Sequence, residues 1–551
     1  MVQREYDKLF VGGDLSGIQK FLYSITSRKA AVSLKGRSAT LAEDMQNIYY
    51  KRAKDAVIEA GGSVSPEDEL YCSGGKFFFI ASVESTNMSS VTNALDNCLA
   101  SCREYVWKEH RGQLGINICY VAFNEENDYF NVEGKYGELA YEGKEKGPGQ
   151  LWKVVSAGFA QQKNQRFKEY ILKHYDDFFG NGSTLKIGDG YQVCAITGIE
   201  FDTANMNKSE YTIPAKDAEE EIVVLPSVKR QVKKGEDLRN DPKKGFKTFE
   251  KYATTDGGTD GDTYLAILRM DVDGLGKRFI TGFKSLKEYK DFSKRLCDFF
   301  EKGVENELLE KKDYRKYMNI IYAGGDDLFI VGRWDKVIDF AKLIHDETEK
   351  RFASEGISIS GGVAIVKPKY PISKAAEMAG EAEEAAKRGE KNAFNLFGKT
   401  VSWDSKKCIV INEKETFKNE FAYLEYYKNL FVKYISLYNK DYGFSKSVLH
   451  KIMLYSEIAD MNKERKSQGK ALNYSYMWHI PYFLTRFMDK WKNYKSEQNE
   501  EKKEVKAELY NFCKTLRDEH LTKSRNLELM AVAARWAELL LKDNDINNKN
   551  Q

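Results

Sequence analysis

The chain has 551 residues, 42% of them hydrophobic and 31% charged, more than one core accommodates, and reads as a soluble globular protein of several domains. Lys and Arg (86) nearly cancel Asp and Glu (83), so net charge singles out no partner and any nucleic-acid contact must come from local patches. The amino terminus, MVQREYDKLFVGGD, has no apolar secretion segment and no run reaches the ~18 residues of a membrane span, so the expected location is cytoplasmic, with no membrane partner.

The first strand-like run ends in GGDLSGIQKFLYSI, an Asp followed by Gly three positions on and Lys three beyond that: Asp14, Gly17 and Lys20. Downstream, LYCSGGKFFFIAS (from Leu70) has the form of a hairpin closed by glycines. A helix is expected over WKVVSAGFAQQKNQRFKEYILKHYDDFF from its apolar spacing. Next come YQVCAITGIE and a basic run, VKRQVKKGEDLRNDPKKGFK, read as a solvated loop or as a contact for RNA backbone. TTDGGTDGD is a flexible lead into the next strand.

With that strand the first pattern repeats. In AILRMDVDGLGKRFITG (from Ala266), Asp271, Gly274 and Lys277 match Asp14, Gly17 and Lys20, and IIYAGGDDLFIVG echoes the glycine hairpin. Where this second copy has Asp326 and Asp327, the first has Lys76 and Phe77. The order around the second copy is βαββαβα: strand to Asp271, helix over 285–312, hairpin, helix over 334–353, strand over 357–366, helix over 371–388. That order suits a ferredoxin-like sheet with helices on one face, in which the end of the first strand lies beside the hairpin tip. After residue 406 the pattern is helical and aromatic, and those aromatics read as core. KSEQNEEKKEVK reads as a loop and KDNDINNKNQ as a frayed tail.

Carboxylates from Asp271 and the Asp326–Asp327 pair therefore converge, at a cost in mutual repulsion unless cations lie between them. Oxygen-only ligands favour Mg²⁺ or Mn²⁺ shared with nucleotide phosphates. Gly324 and Gly325 leave room for a substrate near the backbone, Gly274 and Gly276 expose N–H groups to a triphosphate, and Lys387 adds a compensating charge, with Lys391 less favoured. Two cations bridged by carboxylates activate a hydroxyl and steady a leaving pyrophosphate, which is nucleotidyl transfer. The bland alternative for Asp-Asp at a hairpin tip is turn chemistry; the preceding MDVDG and the degenerate first copy argue against it.

YAGGDDLFIVG and MDVDGLG resemble the active palm of the large polymerase-cyclase subunit of type III CRISPR effector complexes, a relative of the GGDEF and class III nucleotide cyclases. GDLSGIQKFLYSI, LKGRSATLAEDM, LYCSGGKFFFI and NLFGKTVSWD extend the resemblance, in order, over nearly the whole chain. It implies an α+β architecture: a first, degenerate palm (1–150), an inter-palm helical and zinc-like segment (151–262), a second palm with the GGDD (263–405), and a C-terminal helical bundle (406–551). It implies two metal ions per active site held by Asp271, Asp326 and Asp327, with Asp273 as a helper and the Val272 carbonyl in reach. It also implies two ATP substrates face to face, Asp14, Gly17, Ser73, Gly74 and Gly75 contacting the acceptor, and cyclic oligoadenylate as product. Implied partners are the other effector subunits, guide crRNA and target RNA. Other acceptors, such as S-adenosylmethionine, and a non-catalytic scaffold are the competing readings.

Two departures stand out. The family's usual N-terminal HD nuclease domain is not expected, the first palm beginning within about ten residues of Met1, and His345–Asp346 is read as part of an amphipathic helix. Cys194 stands alone where the zinc module has its ligands, and no CxxC pair occurs among the eight cysteines, so no zinc is expected; Cys98 and Cys102, one helical turn apart, read as packing residues. For Lys35 and Arg37, contact with nucleotide or RNA and a purely structural role remain equal readings.

Overall fold

The computed structural model of the chain describes residues 6–26, 29–124, 148–165, 167–173, 175, 190–215, 220–254, 263–412, 415–521 and 524–549. The flexible lead expected at 254–262 falls almost wholly outside them, as does the end of the helix expected to reach Phe179.

Two sheets of the same topology dominate. Four strands of the first are β1 (Lys8–Ser16), β2 (Glu69–Ser73), β3 (Lys76–Val83) and β4 (Gly115–Phe123), in spatial order β2-β3-β1-β4, and the two-residue strand Gly62–Ser63 also pairs with β3. A short helix, α1 (Ile18–Tyr23), α2 (Ala30–Asp44) and α3 (Met88–His110) connect these strands, and α4 (Gly149–Asn164) follows them. Pro226, just ahead of the basic run, opens α5 (Pro226–Arg239), so the first part of that run is a helix and not the solvated loop that is one of its two readings. Its Val228, Gln231, Val232 and Gly235 share one buried face, a helical spacing that the dense charge obscures. That face packs on α2, where a Cβ on Gly36 would strike the backbone carbonyl of Gln231.

The second sheet repeats the order with β5 (Leu265–Val272), β6 (Met318–Gly324), β7 (Asp327–Arg333) and β8 (Ile359–Val366), spatially β6-β7-β5-β8. Its helices are α6 (Leu275–Thr281), α7 (Leu286–Cys297), α8 (Trp334–Arg351) and α9 (Ile372–Arg388). Two further strands, β9 (Ala393–Leu396) and β10 (Lys399–Ser402), extend the sheet beyond β8. The helices do not all lie on one face. Alternation along β5 sends Ala266, Leu268 and Met270 into a core with α7 and α8, and Leu265 and Ile267 into a second core with Ala375, Ala376 and Ala379 of α9. The final helix of the βαββαβα pattern crosses to the other side because the first two occupy the near one.

The palms share both cores. Phe10, Phe78 and α4 of the first join the core of α7, whereas α9 of the second joins the core of α2 and α3. Each palm thus covers its partner's sheet, and α4, expected from the sequence to belong to the inter-palm segment, completes the first palm.

Beyond the sheets, α10 (Glu420–Tyr442), α11 (Ser447–Ser467), α12 (Ser475–Met488), α13 (Glu500–Thr515) and α14 (Ser524–Lys549) form the C-terminal bundle. Phe421, Tyr427, Phe431 and Tyr434 are buried there, as expected of core aromatics, but Tyr426, Tyr474, Trp478 and Tyr482, also read as core, are exposed. Two other expectations fail. The segment read as a loop is mostly α13, started by the Asn499 side chain accepting the Lys502 N–H and by Glu500 and Glu501 in the first turn. The segment read as a frayed tail continues α14 to Lys549.

Candidate active site

The end of β5 and the tip of the β6–β7 hairpin meet because β5 pairs with β7 in a register that sets Asp271 opposite Asp327. Gly325 and Asp326 form the two-residue turn, and the Val272 N–H donates to the Asp326 carbonyl at 3.1 Å. In the first palm the corresponding pair is Asp14 opposite Lys76, with Gly74 and Gly75 in the turn. Strand register therefore aligns Lys76 with Asp327, one position away from the alignment that the two sequences suggest.

A cleft of about 590 Å³ runs between the palms, with Asp271, Asp326, Asp327, Tyr322, Glu383 and Lys387 on one side. Gly17, Gln19 and Lys20 at the start of α1, together with Tyr23 and Gly74, form the other. Gln19 reaches across, its Nε2 donating to Asp327 Oδ2 at 3.1 Å. The other oxygen, Asp327 Oδ1, is buried and has no hydrogen-bond partner. Burial, then the neighbouring Asp326 carboxylate, pushes Asp271 up to about 8. Burial pushes Asp327 up to about 7 even against the Arg269 guanidinium. Lys387 ion-pairs with Asp271 and lies 2.7 Å from Glu383 Oε1; burial opposes its charge, but the two carboxylates outweigh burial and raise it.

Other predicted residues are placed differently. Asp273 accepts from Ser358 Oγ (2.8 Å), Ser360 Oγ (2.9 Å) and the Asn392 N–H (3.0 Å), which fastens the end of β5 to β8. It does not line the cleft, and neither does the buried Val272. Asp14 is buried against Lys163 Nζ (2.9 Å) and Asn117 Nδ2 (3.4 Å) and is absent from the cleft wall. Gly324 and Gly325 are spent on the first palm rather than on a substrate. A Cβ on Gly74 would come 3.0 Å from the Gly324 carbonyl, one on Gly325 2.5 Å from Tyr71 Oη, and the Gly325 N–H donates to Ser73 Oγ at 3.1 Å. The two hairpin tips touch backbone to backbone, which demands glycine there.

Two smaller pockets flank the tips in equivalent places. One, of about 300 Å³, lies between α1 and α2 beside Ser73, Gly74 and Gly75, and includes Lys35, Gln46, Glu301 and Glu305. The other, of about 160 Å³, lies between α6 and α7 beside Asp326, and includes Gly276, Trp152, Phe279, Tyr289 and Ser293. Gly274 caps α6 with φ +69°. Lys35 Nζ donates to the Ile320 carbonyl at 2.7 Å, and burial lowers its pKa. Arg37 is fully buried, stacked on Phe21 and bonded to the Phe21 and Ser24 carbonyls, a fold-stabilising role.

Sequence reasoning missed Gln19, Tyr23, Tyr322, Arg269 and Glu383. For Glu383 a signal existed, its position one helical turn before Lys387; for the others the partner lies in a distant segment.

His345, Asp346 and Glu349 come close enough to share a cation, the one such group among the described residues. However, His345 is buried with both ring nitrogens engaged, by Asp346 and by Asn392, and its ring lies 4.5 Å from Trp403. Cys194 is buried in a tight turn, its N–H donating to the Ile199 carbonyl at 2.9 Å. No helix among the described residues is long and apolar enough to cross a membrane.

Residues 264–395 match the second palm domain of Cas10/Cmr2, so the class is that of two-palm Cas10 proteins. Residues 8–179 match domain B of the Csm1 subunit. The resemblance to the large subunit of type III CRISPR effector complexes is thereby shown, and the curated relatives narrow it to the Cas10/Csm1 large subunits of subtype III-A. One from Enterococcus italicus, named a single-strand-specific deoxyribonuclease, is 26% identical over 455 residues, which is 74% of this chain and 56% of that protein. One from Mycobacterium tuberculosis is 34% identical over 175 residues, 28% of this chain and 21% of that protein. The chain thus spans little more than half the length of the curated relatives that match most of it. Among solved structures, a Csm1–Csm4 cassette in complex with one ATP shares the fold with TM-score 0.58 at 18% identity, covering 96% of this chain and 70% of that one.

Proposed function

We propose that the chain is the nucleotidyl-transferring large subunit of a type III CRISPR effector, joining ATP molecules, two bound at a time, through 3′-to-α-phosphate bonds with release of pyrophosphate at each step into cyclic oligoadenylates when a guide-bearing complex captures target RNA. The observation that carries this reading is the convergence of Asp271, Asp326 and Asp327 on a cleft whose opposite wall is a second palm. The flanking pockets between α1 and α2 and between α6 and α7 provide one berth per palm for the two nucleosides. Solved Csm1–Csm4 cassettes in complex with ATP, cA3 and cA4 support the same substrate and product classes.

The donor set fits Mg²⁺ or Mn²⁺: three carboxylates, one with a buried, unpartnered oxygen. Asp271, Asp326 and Asp327 would hold the ions. When bound, such a pair lowers the pKa of the attacking hydroxyl and neutralises the leaving pyrophosphate. The chain's own residues do the rest. Gln19 fixes the orientation of Asp327, Lys387 supplies positive charge beside the phosphates, Lys20 faces them from the first palm, and Tyr322 with Tyr23 narrows the cleft against water.

A second reading is favoured by the unlike linings of the two berths, one polar with Lys35, Glu301 and Glu305, the other aromatic. In it, AMP is joined to a different acceptor such as S-adenosylmethionine. Mass spectrometry of products from ATP, with and without S-adenosylmethionine, in the presence of the assembled complex and target RNA, distinguishes the two. Absence of AMP transfer under all these conditions leaves only the scaffold role.

A further inference from the structure

We propose that Glu383 is a positioning residue for the cation site, the station to which the Lys387 ammonium withdraws when a divalent cation takes Asp271. The inference rests on the reading of Asp271 as a cation ligand and assigns Glu383 a task exerted through Lys387.

Lys387 Nζ stands between two carboxylates, ion-paired with Asp271 and 2.7 Å from Glu383 Oε1. Glu383 is only 6% exposed and lies one turn before Lys387 on α9. Its Oε2 is 3.1 Å from the guanidinium of Arg269, which rises from β5 two residues before Asp271 and also faces Asp327. Five charges therefore alternate in sign, Asp271, Lys387, Glu383, Arg269 and Asp327, all but Arg269 lining the cleft. A buried carboxylate is costly unless paired on both sides, and Glu383 is.

While Lys387 holds Asp271 Oδ2, that oxygen is not free for a cation and the carboxylate is already neutralised by the ammonium. An ammonium and a dication held at contact distance on one carboxylate repel each other strongly in a half-buried site, which favours retreat of the ammonium. Lys387 must leave, and a bare buried ammonium is costlier still. Glu383 already accepts one of its hydrogens, so the withdrawal breaks a single ion pair and leaves the ammonium compensated. Arg269 stays beside Glu383, its guanidinium 3.1 Å from Glu383 Oε2. Without Glu383, the ammonium has only Asp271 and competes with the cation for it.

The test is Mn²⁺ binding to the full chain without nucleotide, read by electron paramagnetic resonance, for wild type, Glu383→Gln, Lys387→Met and the double variant. Removal of Glu383 weakens Mn²⁺ binding about tenfold, within the range for groups that orient metal ligands. Lys387→Met tightens binding several-fold. The double variant binds like Lys387→Met, because with no ammonium to receive, Glu383 has no task. Equal weakening by Glu383→Gln in both backgrounds means a merely structural role and overturns the proposal, as does a Glu383→Gln chain that binds like wild type. If Glu383→Gln does not fold, Lys387→Met decides: unchanged or weaker Mn²⁺ binding overturns the proposal. Wild type that binds no Mn²⁺ removes the cation site itself, and with it the proposed function; wild type that binds while the cycle is flat removes only the role of Glu383.

Discussion

The two palms share a sheet order, a hairpin with a two-residue turn and a lysine near the end of their last helix that neutralises the strand-end aspartate, Lys163 on Asp14 and Lys387 on Asp271. They differ in what surrounds that ion pair. Opposite Asp14 stands Lys76, and one turn before Lys163 is the buried Phe159; opposite Asp271 stands Asp327, and one turn before Lys387 is Glu383. In the first palm the pair is closed, one acid and one base against a hydrophobic wall. In the second, extra carboxylates on both sides leave the lysine with a choice and the acids short of cations. The same frame thus carries a neutral clamp in one palm and a carboxylate cluster in the other, according to two residues.

The largest effect that breaks this contrast is removal of the second palm's surplus charge. Asp326→Ala with Asp327→Ala lowers product formation by on the order of 10³-fold or more, without lowering the melting temperature, since repulsion is relieved. Product yield by mass spectrometry and a thermal melt check both halves.

Next is the contact through which one palm fixes the other. Gly325→Ala puts a Cβ 2.5 Å from Tyr71 Oη at φ +68° and pushes the hairpin tips apart. Activity is expected to fall ~10- to 100-fold, misplacement of about an ångström being enough, with little change in affinity for ATP.

A smaller effect concerns pH. The folded-state values of Asp271 (about 8) and Asp327 (about 7) lie above the unfolded value near ~3.9, so the folded chain binds more protons between about pH 4 and 8. Its stability without metal therefore falls as pH rises through that window and levels off above it. Melting in EDTA from pH 5 to 9 should drift down by ~1–2 °C, and Mg²⁺ should remove the drift by substituting for the lost protons.

The smallest effect sharpens the contrast from the other side. Asp14→Asn leaves ATP affinity within ~2-fold by calorimetry, because this acid serves Lys163 and Asn117 rather than the cleft; a loss on the scale of the double Asp→Ala variant would make the palms equivalent.

The paired acids and the duplicated frame are readable because they lie in short contiguous stretches with strong β patterns on both sides. The fold class comes from the same patterns, and the aromatic bundle from helical spacing. What escapes is encoded elsewhere. The first hairpin turns on Gly74–Gly75 and the second on Gly325–Asp326, so aligning the two GG pairs misplaces Lys76 by one position, a slip only strand register corrects. In the basic run, charge masks Val228, Val232 and Gly235; around Asn499, the wealth of Lys and Glu imitates a loop although the residue caps a helix. Arg269 and Gln19 act on residues far away in sequence, and no local pattern announces such a partner.

The meeting of the hairpin tips has one more consequence. Two bare turns in contact, Gly74 against Gly324, resist being driven together but offer little leverage against tilting. They form a pivot, and the Gln19–Asp327 bond sits off its axis. A slight rocking of one palm about that contact would change the Gln19–Asp327 distance, coupling the carboxylate cluster of the second palm to the orientation of the first.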